Sequence, residues 1–254
     1  MDIKIHKEVY GQGKPLVLIH GWSMHTGIWR IFAQQLSQHY QVICLDLPGH
    51  GLSETVEPYT LECISEALIE AVPESSFSVL GWSLGASVAL TMARQYPQRV
   101  NSLMLLAGNP KFVQQDEWVG VDPKLLEDFG NNLSLNCSET LLLFLALQVN
   151  SLPDAKSILK DLRNALQECD PPAENVLQSG LDILKQADLR PGLIALECPV
   201  SIIQGDKDTL VPVQASRDMK KIQPASELNI IAGAGHVPFL SHPSQVIEII
   251  NRFI

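Results

Sequence analysis

The sequence is short of positive charge. Eighteen Lys and Arg stand against twenty-eight Asp and Glu, which gives a net charge of -10. Proteins that hold nucleic acid through its phosphates need a basic surface, so this balance argues against that class. Long apolar runs are missing too, because the run at residues 141–147 has only seven residues. A membrane-spanning helix needs about 20. We therefore expect neither nucleic acid nor a membrane as a partner.

Paired cysteines are also missing. The five cysteines are odd in number and scattered, and no C-x-x-C pair occurs, which argues against a disulfide scaffold or a zinc site. Residues 1–13 (MDIKIHKEVYGQG) lack the uninterrupted apolar stretch of a signal peptide. Apolar residues make up 46% of the chain and charged residues 18%, enough for a sizeable core. We expect a monomeric, cytoplasmic protein.

Short apolar runs that alternate with helical patterns are what the sequence does contain. Runs bounded by Gly or Pro predict buried strands at residues 15–20, 41–47, 76–82, 101–108, 198–205 and 227–233. Helical patterns lie at residues 27–38, 61–71, 84–96, 212–221 and 243–253. This alternation predicts an α/β fold, a mostly parallel central sheet with helices on both faces. Residues from about 2 to 10 are expected to add a strand or a hairpin at an edge.

The alternation stops between residues 111 and 185. There the apolar residues repeat with a helical period, and no run has the character of a strand. We therefore predict an α/β core formed by residues 1–110 and 186–254, with residues 111–185 inserted above the sheet as a helical lid. A chain of 254 residues is long enough for one such domain with an insertion.

The strongest chemical signal is GWSLG at residues 81–85, which fits the pattern G-x-S-x-G. It directly follows a predicted strand and precedes a predicted helix. A serine in this context sits on a tight, strained turn with its hydroxyl presented at the carboxyl edge of the sheet. Ser83 is therefore the candidate nucleophile. The alternative is a glycine-rich turn whose serine only caps the helix.

A nucleophilic serine needs a base, and the base needs an acid that orients it. His236 follows the last predicted strand, in AGAGHVPF, and Asp208 lies in GDKDTLVP after the strand before it. We expect His236 to be the base and Asp208 the acid. Four other residues are alternative candidates for the base or the acid, but we expect each to have a structural role: His20, His242, Asp46 and Asp206.

The resulting chain order, Ser83 then Asp208 then His236, is the order found in one class of serine hydrolases. The oxyanion of such an enzyme is held by backbone N–H groups, here expected from Leu84, after the nucleophile, and from Trp22, in the turn HGW. This chemistry requires neither a metal ion nor an organic cofactor.

At this point the sequence resembles the α/β-hydrolase superfamily over its whole length. The motifs that carry the resemblance are HGW (20–22), DLPGHGLS (46–53), GWSLG (81–85), GDKDTLVP (205–212) and AGAGHVPFLSHP (232–243). A narrower resemblance, to the pimeloyl-acyl carrier protein methyl ester esterases of biotin synthesis, includes three motifs of the insertion region: DEWVG (116–120), FLALQ (144–148) and LDILKQADLR (181–190).

The narrower resemblance implies a carboxylesterase that releases methanol from the methyl ester of a pimeloyl chain attached to acyl carrier protein. It also implies substrate contacts at Trp22, Ser83, Leu84, Phe144, Leu145, Ala146, Leu147, Gln148 and His236. Three alternatives stay open: a broad carboxylesterase for small free esters, a carbon–carbon bond hydrolase, and a non-catalytic binder of an apolar ligand. We expect the FLALQ segment to line the acyl channel, with Gln148 as its one polar group; the alternative is plain packing within the lid.

The charge of the insertion departs from what this resemblance requires. Residues 111–185 contain twelve Asp or Glu and only six Lys or Arg, whereas a surface that receives an acidic carrier protein should be basic. Lys156, Lys160 and Arg163 are spaced i, i+4, i+7, which places them on one face of a helix. We expect this face to dock the carrier, although the same spacing also fits an ordinary solvated face.

Overall fold

A seven-stranded sheet forms the centre of the molecule. The computed structural model describes residues 3–150 and 152–254; residues 1, 2 and 151, which fall in the predicted edge strand, core and lid ranges, lie outside the described residues. The strands are β1 (Lys7–Tyr10), β2 (Lys14–Ile19), β3 (Tyr40–Leu45), β4 (Phe77–Trp82), β5 (Val100–Leu106), β6 (Val200–Gly205) and β7 (Glu227–Ile231).

The strand order is β1-β3-β2-β4-β5-β6-β7, and every pairing is parallel except that of β1 with β3. The predicted α/β fold is therefore confirmed, and each of the six predicted buried strands starts and ends within two residues of the observed one. The strands β4 and β6 are buried along their whole length. This explains why neither strand shows the strict alternation of apolar and polar residues that is typical of a half-exposed strand.

Eleven α-helices are described in residues 3–150 and 152–254, and none is long and apolar enough to cross a bilayer. The helices of the core pack on the two faces of the sheet in two apolar clusters. They are α1 (Arg30–Leu36), α2 (Leu61–Ala71), α3 (Leu84–Gln95), α8 (Arg190–Ile194), α9 (Val213–Ile222), α10 (Pro238–Ser241) and α11 (Pro243–Phe253). A 3₁₀ turn at Thr26–Trp29 precedes α1.

The other four helices lie between β5 and β6: α4 (Pro123–Leu133), α5 (Cys137–Gln148), α6 (Ala155–Leu166) and α7 (Glu174–Gln186). The helical period expected from residue 111 onward does not begin until Pro123. Residues 111–122 instead form two isolated β-bridges around the buried Trp118. The Trp118 indole N–H donates to Asn109 Oδ1 at 2.9 Å, a contact that holds this segment in a hairpin-like turn.

Two histidines are fully buried beside the turn at residues 20–22. His20 donates from Nδ1 to the Gly21 carbonyl at 2.8 Å and accepts the Leu47 N–H at Nε2, so its ring is neutral. The His50 ring lies 5.5 Å from it, centroid to centroid. Burial lowers the pKa of both histidines from 6.5 to about 3, because a charged imidazolium would be desolvated there.

Stability should therefore depend on pH in a defined direction. Both folded-state pKa values lie below the unfolded value, so the unfolded chain binds more protons between about pH 3 and 6.5. The contribution of the two neutral histidines to the free energy of unfolding is fully present above this window. It is lost as the pH falls through the window, by up to about 1.4 kcal/mol per pH unit for each histidine. The free energy of unfolding, measured in urea, should fall from pH 7 to pH 5 in both proteins. The fall should be about 2 kcal/mol smaller in His50→Gln than in the wild type, because the variant lacks one of the two buried histidines. The exposed His39→Gln serves as control, and equal losses in all three proteins would refute the prediction.

Candidate active site

Ser83 occupies a sharp turn between β4 and α3. Its φ of 55° lies in the left-handed region, which costs free energy for any residue except glycine. The flanking glycines make the turn sterically feasible. A Cβ on Gly81 would lie 2.1 Å from the Gly85 carbonyl oxygen, and one on Gly85 would lie 2.4 Å from the Ile19 oxygen. The fold thus holds the Ser83 hydroxyl at the carboxyl edge of the sheet, at the start of α3.

His236 lies on the loop after β7, with its ring over Ser83. The distance from His236 Nε2 to Ser83 Oγ is 2.9 Å. Two hydrogen bonds made by the backbone of His236 fix the position of this loop. The Trp82 indole N–H donates to the His236 carbonyl at 2.8 Å, and the His236 N–H donates to the Gln148 carbonyl at 3.3 Å. The second bond ties the loop to the last residue of α5, which belongs to the insertion.

Asp208 lies on the loop after β6 and contacts the other nitrogen of the His236 ring, with Oδ2 2.8 Å from Nδ1. A carboxylate only accepts, so Nδ1 carries the proton and Nε2 is free to accept from Ser83. The second carboxylate oxygen accepts the N–H groups of Leu210 and Val211, each at 2.9 Å. The side chain is fully buried, and both of its oxygens accept hydrogen bonds from the protein.

The four alternative candidates for the base or the acid bond elsewhere in the structure. His20 holds the Leu47 N–H, and Asp206 accepts the Gly233 N–H at 2.7 Å. Asp46 accepts the N–H groups of two loop residues, and His242 contacts the neighbouring Ser241 hydroxyl. None of these hydrogen bonds involves Ser83, so each residue has a structural partner of its own.

The two expected oxyanion donors flank Ser83. Leu84 is the first residue of α3, and the N–H of a first helical residue has no acceptor within its helix. Trp22 follows Gly21, and a Cβ on Gly21 would lie 3.2 Å from Ser83 Cβ. In the described part of the chain, neither N–H donates to a backbone carbonyl outside regular helix or strand bonding.

The helix α5 places the FLALQ segment directly against these groups. Phe144 packs edge-on against Trp22, with ring centroids 4.8 Å apart, and Leu145 joins the apolar cluster that contains Trp82. Ala146 and Leu147 are partly buried. Gln148 is 2% exposed, and its amide O and N have no hydrogen-bond partner among the described residues. An unpartnered buried amide is costly, so this one is an exception among the buried polar groups.

The predicted basic face is present on α6. Lys156, Lys160 and Arg163 are exposed and form no salt bridge within residues 3–150 and 152–254. Ile158 and Leu162 are buried on the opposite side of the helix. The three cations therefore project away from the body of the protein.

The insertion covers the site closely. Ser83 is 4% exposed, and the Trp22 indole N–H donates to the Leu177 carbonyl of α7 at 2.9 Å. Gly180 of the same helix leaves room for the indole, because a Cβ there would lie 2.7 Å from Trp22 Cδ1. Within the described residues no cluster of His, Cys, Asp and Glu is arranged to hold a metal ion.

A hydrogen-bonded serine, histidine and aspartate in this chain order, on a parallel sheet of this topology, is the arrangement that defines the α/β-hydrolase class. A family model described as alpha/beta hydrolase fold matches residues 14–243. A relative named pimeloyl-[acyl-carrier protein] methyl ester esterase from Methylococcus capsulatus is 39% identical over 97% of this chain and 97% of its own length. One of the same name from Nitrosomonas europaea is 38% identical over 96% of this chain and 97% of its own.

The chain therefore belongs to the alpha/beta hydrolase family and, within it, to the family of these relatives. Among solved structures, an esterase from Exiguobacterium antarcticum superposes with a TM-score of 0.89 at 22% identity, covering 99% of this chain and 95% of that one. That likeness concerns the fold alone. The resemblances predicted from the motifs are thus confirmed at the level of the family.

Proposed function

We propose that this protein is a serine carboxylesterase that hydrolyses the methyl ester of pimeloyl-acyl carrier protein to the free carboxylate and methanol, as a step of biotin synthesis. The observation that carries the proposal is the 39% identity over 97% of the chain to a relative named for this activity. A match of that extent includes nearly all of the insertion, which is the part of the chain in which hydrolases of this fold differ most.

In the first half of the reaction, His236 Nε2 takes the proton of Ser83 Oγ as that oxygen bonds to the ester carbonyl carbon. The carbonyl π electrons move to the oxygen, and the N–H groups of Trp22 and Leu84 stabilise the negative charge. The intermediate collapses with cleavage of the bond to the methoxy group. His236 gives its proton to the leaving oxygen, and methanol departs.

In the second half, water replaces methanol. His236 removes a proton from water, the hydroxide attacks the acyl-Ser83 carbonyl, and the Ser83 oxygen leaves with that proton. The product is a carboxylic acid at the end of a chain that stays on its carrier. Asp208 remains ionised in both halves and stabilises the imidazolium. Its four hydrogen bonds support this role, since they hold the carboxylate in place against His236 Nδ1.

The insertion acts as a lid in this proposal, and the FLALQ segment lines the channel for the acyl chain. The contact of Phe144 with Trp22, 4.8 Å between centroids, supports a channel wall beside the oxyanion donors. The unpartnered amide of Gln148 supplies a polar group in that wall. An apolar pocket with few polar groups is the usual composition of such sites.

Phe144→Ala should therefore change which acyl chains are hydrolysed, because it removes part of the channel wall and leaves Ser83, Asp208 and His236 in place. We expect the preference to move toward longer or bulkier chains, together with a loss of about 3 kcal/mol in stability from the cavity. The measurement is kcat/KM over a series of methyl esters of increasing length. If only thermal stability changes and the chain-length profile stays that of the wild type, then Phe144 is plain packing.

The carrier protein docks on α6 through Lys156, Lys160 and Arg163 in this proposal. Their exposure and their lack of described acidic partners leave the charges free to attract an acidic surface. The rest of the insertion is acidic, so this face is a local exception. Electrostatic attraction of this kind acts mainly on the rate of association and weakens with salt.

The test compares carrier-bound and free pimeloyl methyl ester as substrates for the wild type and a triple charge reversal, Lys156→Glu, Lys160→Glu and Arg163→Glu. We expect the wild type to prefer the carrier-bound ester, and the reversal to lower kcat/KM for that ester alone by about tenfold or more. Reversal of Arg217 and Lys221, exposed cations on α9, is the control for charge reversal elsewhere on the surface, although Lys221 also pairs with Asp218. Equal activity of the wild type on both esters would favour a broad carboxylesterase, and equal loss on both in the triple variant would refute docking at α6.

A further inference from the structure

Gln204, the penultimate residue of β6, contacts the candidate acid of the active site. Its side-chain nitrogen Nε2 lies 2.9 Å from Asp208 Oδ2, the same oxygen that accepts from His236 Nδ1. The residue is 0% exposed, so no solvent shares this bond. Neither G-x-S-x-G nor the order of serine, acid and base points to this position.

The orientation of the Gln204 amide follows from its surroundings. Besides Asp208, Nε2 lies 2.9 Å from the Val211 carbonyl oxygen and 3.4 Å from that of Gly205. All three neighbours are acceptors, so the NH₂ group must face them. The amide oxygen then points away and has no partner among the described residues. A buried unpaired acceptor is costly. The orientation that lets Gln204 donate to Asp208 is thus the same one that leaves its amide oxygen without a partner.

We propose that Gln204 is a positioning residue for the hydrolysis, acting through Asp208. This inference rests on the proposed function, since it assigns a role toward the same triad. The Gln204 N–H holds Oδ2, whereas the Leu210 and Val211 N–H groups hold Oδ1. The carboxylate is therefore fixed at both oxygens, and through its bond to Nδ1 it orients the His236 ring.

The bond also has an electrostatic effect with a definite sign. A donor on Oδ2 neutralises part of the carboxylate charge that would otherwise stabilise a protonated His236. Without Gln204, that charge acts more fully on the imidazolium, and the base becomes protonated at higher pH. The acid limb of the pH profile of kcat/KM should therefore move to higher pH when the donor is removed. A role limited to packing predicts no such movement.

The experiment measures kcat and KM from pH 4.5 to 9 for the wild type and Gln204→Met, which keeps the length of the side chain but lacks the donor, with a small soluble methyl ester as the probe. We expect kcat to fall about tenfold with KM unchanged, and the acid limb to shift upward by roughly half a pH unit. Gln204→Thr, a good strand former that also lacks this donor, serves if the methionine variant does not fold.

Gln223→Met is the matched control. Gln223 is also a buried glutamine whose amide donates to backbone carbonyls, those of Leu193 and Leu196, but no described bond joins it to the triad. A limb shift in the Gln204 variants and none in this control would support the proposal. An unshifted limb in the folded Gln204 variants, or an equal shift in the control, would overturn it. If Ser83→Ala keeps activity, the proposed function itself fails, whereas an inactive Ser83→Ala with an unshifted limb refutes only the role of Gln204.

Discussion

Ser83→Ala is expected to lower kcat by about 10⁴- to 10⁶-fold and to leave the fold intact. Removal of Oγ deprives the ester of its attacking atom, while the N–H groups of Trp22 and Leu84 remain and can still bind a carbonyl oxygen. The methyl group of alanine occupies the position of the serine Cβ, so the strained φ of 55° is unchanged. The measurement is steady-state hydrolysis of a methyl ester, together with thermal unfolding of the same preparations.

Ser87→Ala provides the control for this variant. Ser87 is a second buried serine on α3, one turn beyond Ser83, and its side chain has no role in the proposed chemistry. We expect wild-type activity from it. A Ser83→Ala protein that turns over at close to the wild-type rate would contradict the serine mechanism, whatever the relatives of the chain are named.

Asp208→Asn is expected to lower kcat by about 10⁴-fold. The oxygen of the introduced amide would stay with the Leu210 and Val211 N–H groups, which need an acceptor. The NH₂ group of that amide would then face His236 Nδ1, and the ring would have to accept there. The proton would move to Nε2, which could no longer take the proton of Ser83. The variant thus keeps the shape of the site with the wrong tautomer.

Asp206→Asn separates this effect from general damage to the loop. Asp206 accepts the Gly233 N–H through one oxygen, and an asparagine oxygen can do the same. We expect near wild-type kinetics from this variant. If both substitutions lower kcat to a similar extent, then the loop after β6 matters for its shape alone, and Asp208 is not the orienting acid.

The parts of the fold and site that were predictable from the sequence are those with local signals. Strand β4, the turn at Ser83 and helix α3 follow one another within residues 77–95, and the two glycines of the motif are required by contacts inside that segment and with β2. The loops that carry Asp208 and His236 each follow a buried strand. Parallel strands present their carboxyl ends at one edge, so the three residues could be expected to meet.

Other parts depend on contacts between distant residues and give no local signal. Residues 111–122, at the start of the insertion, form two β-bridges and no helix, and the Trp118 indole N–H donates to Asn109, which lies outside the insertion. Gln204 lies in a buried, mostly apolar strand, and nothing in the local sequence indicates that its amide contacts Asp208. The bond from the His236 N–H to the Gln148 carbonyl joins the insertion to the loop that carries His236, and a bond between two backbone groups does not depend on the identity of the side chains.

In the proposed reaction, Ser83 cleaves the methyl ester of a carrier-bound pimeloyl chain and leaves the chain on its carrier. The most direct test incubates the purified protein with pimeloyl-acyl carrier protein methyl ester and follows both products, free methanol and the mass of the intact carrier. We expect one methanol per carrier, a carrier that retains its chain with a free carboxyl group, and no reaction with Ser83→Ala. Release of the whole chain from the carrier, or formation of no methanol by the wild-type protein, would contradict it.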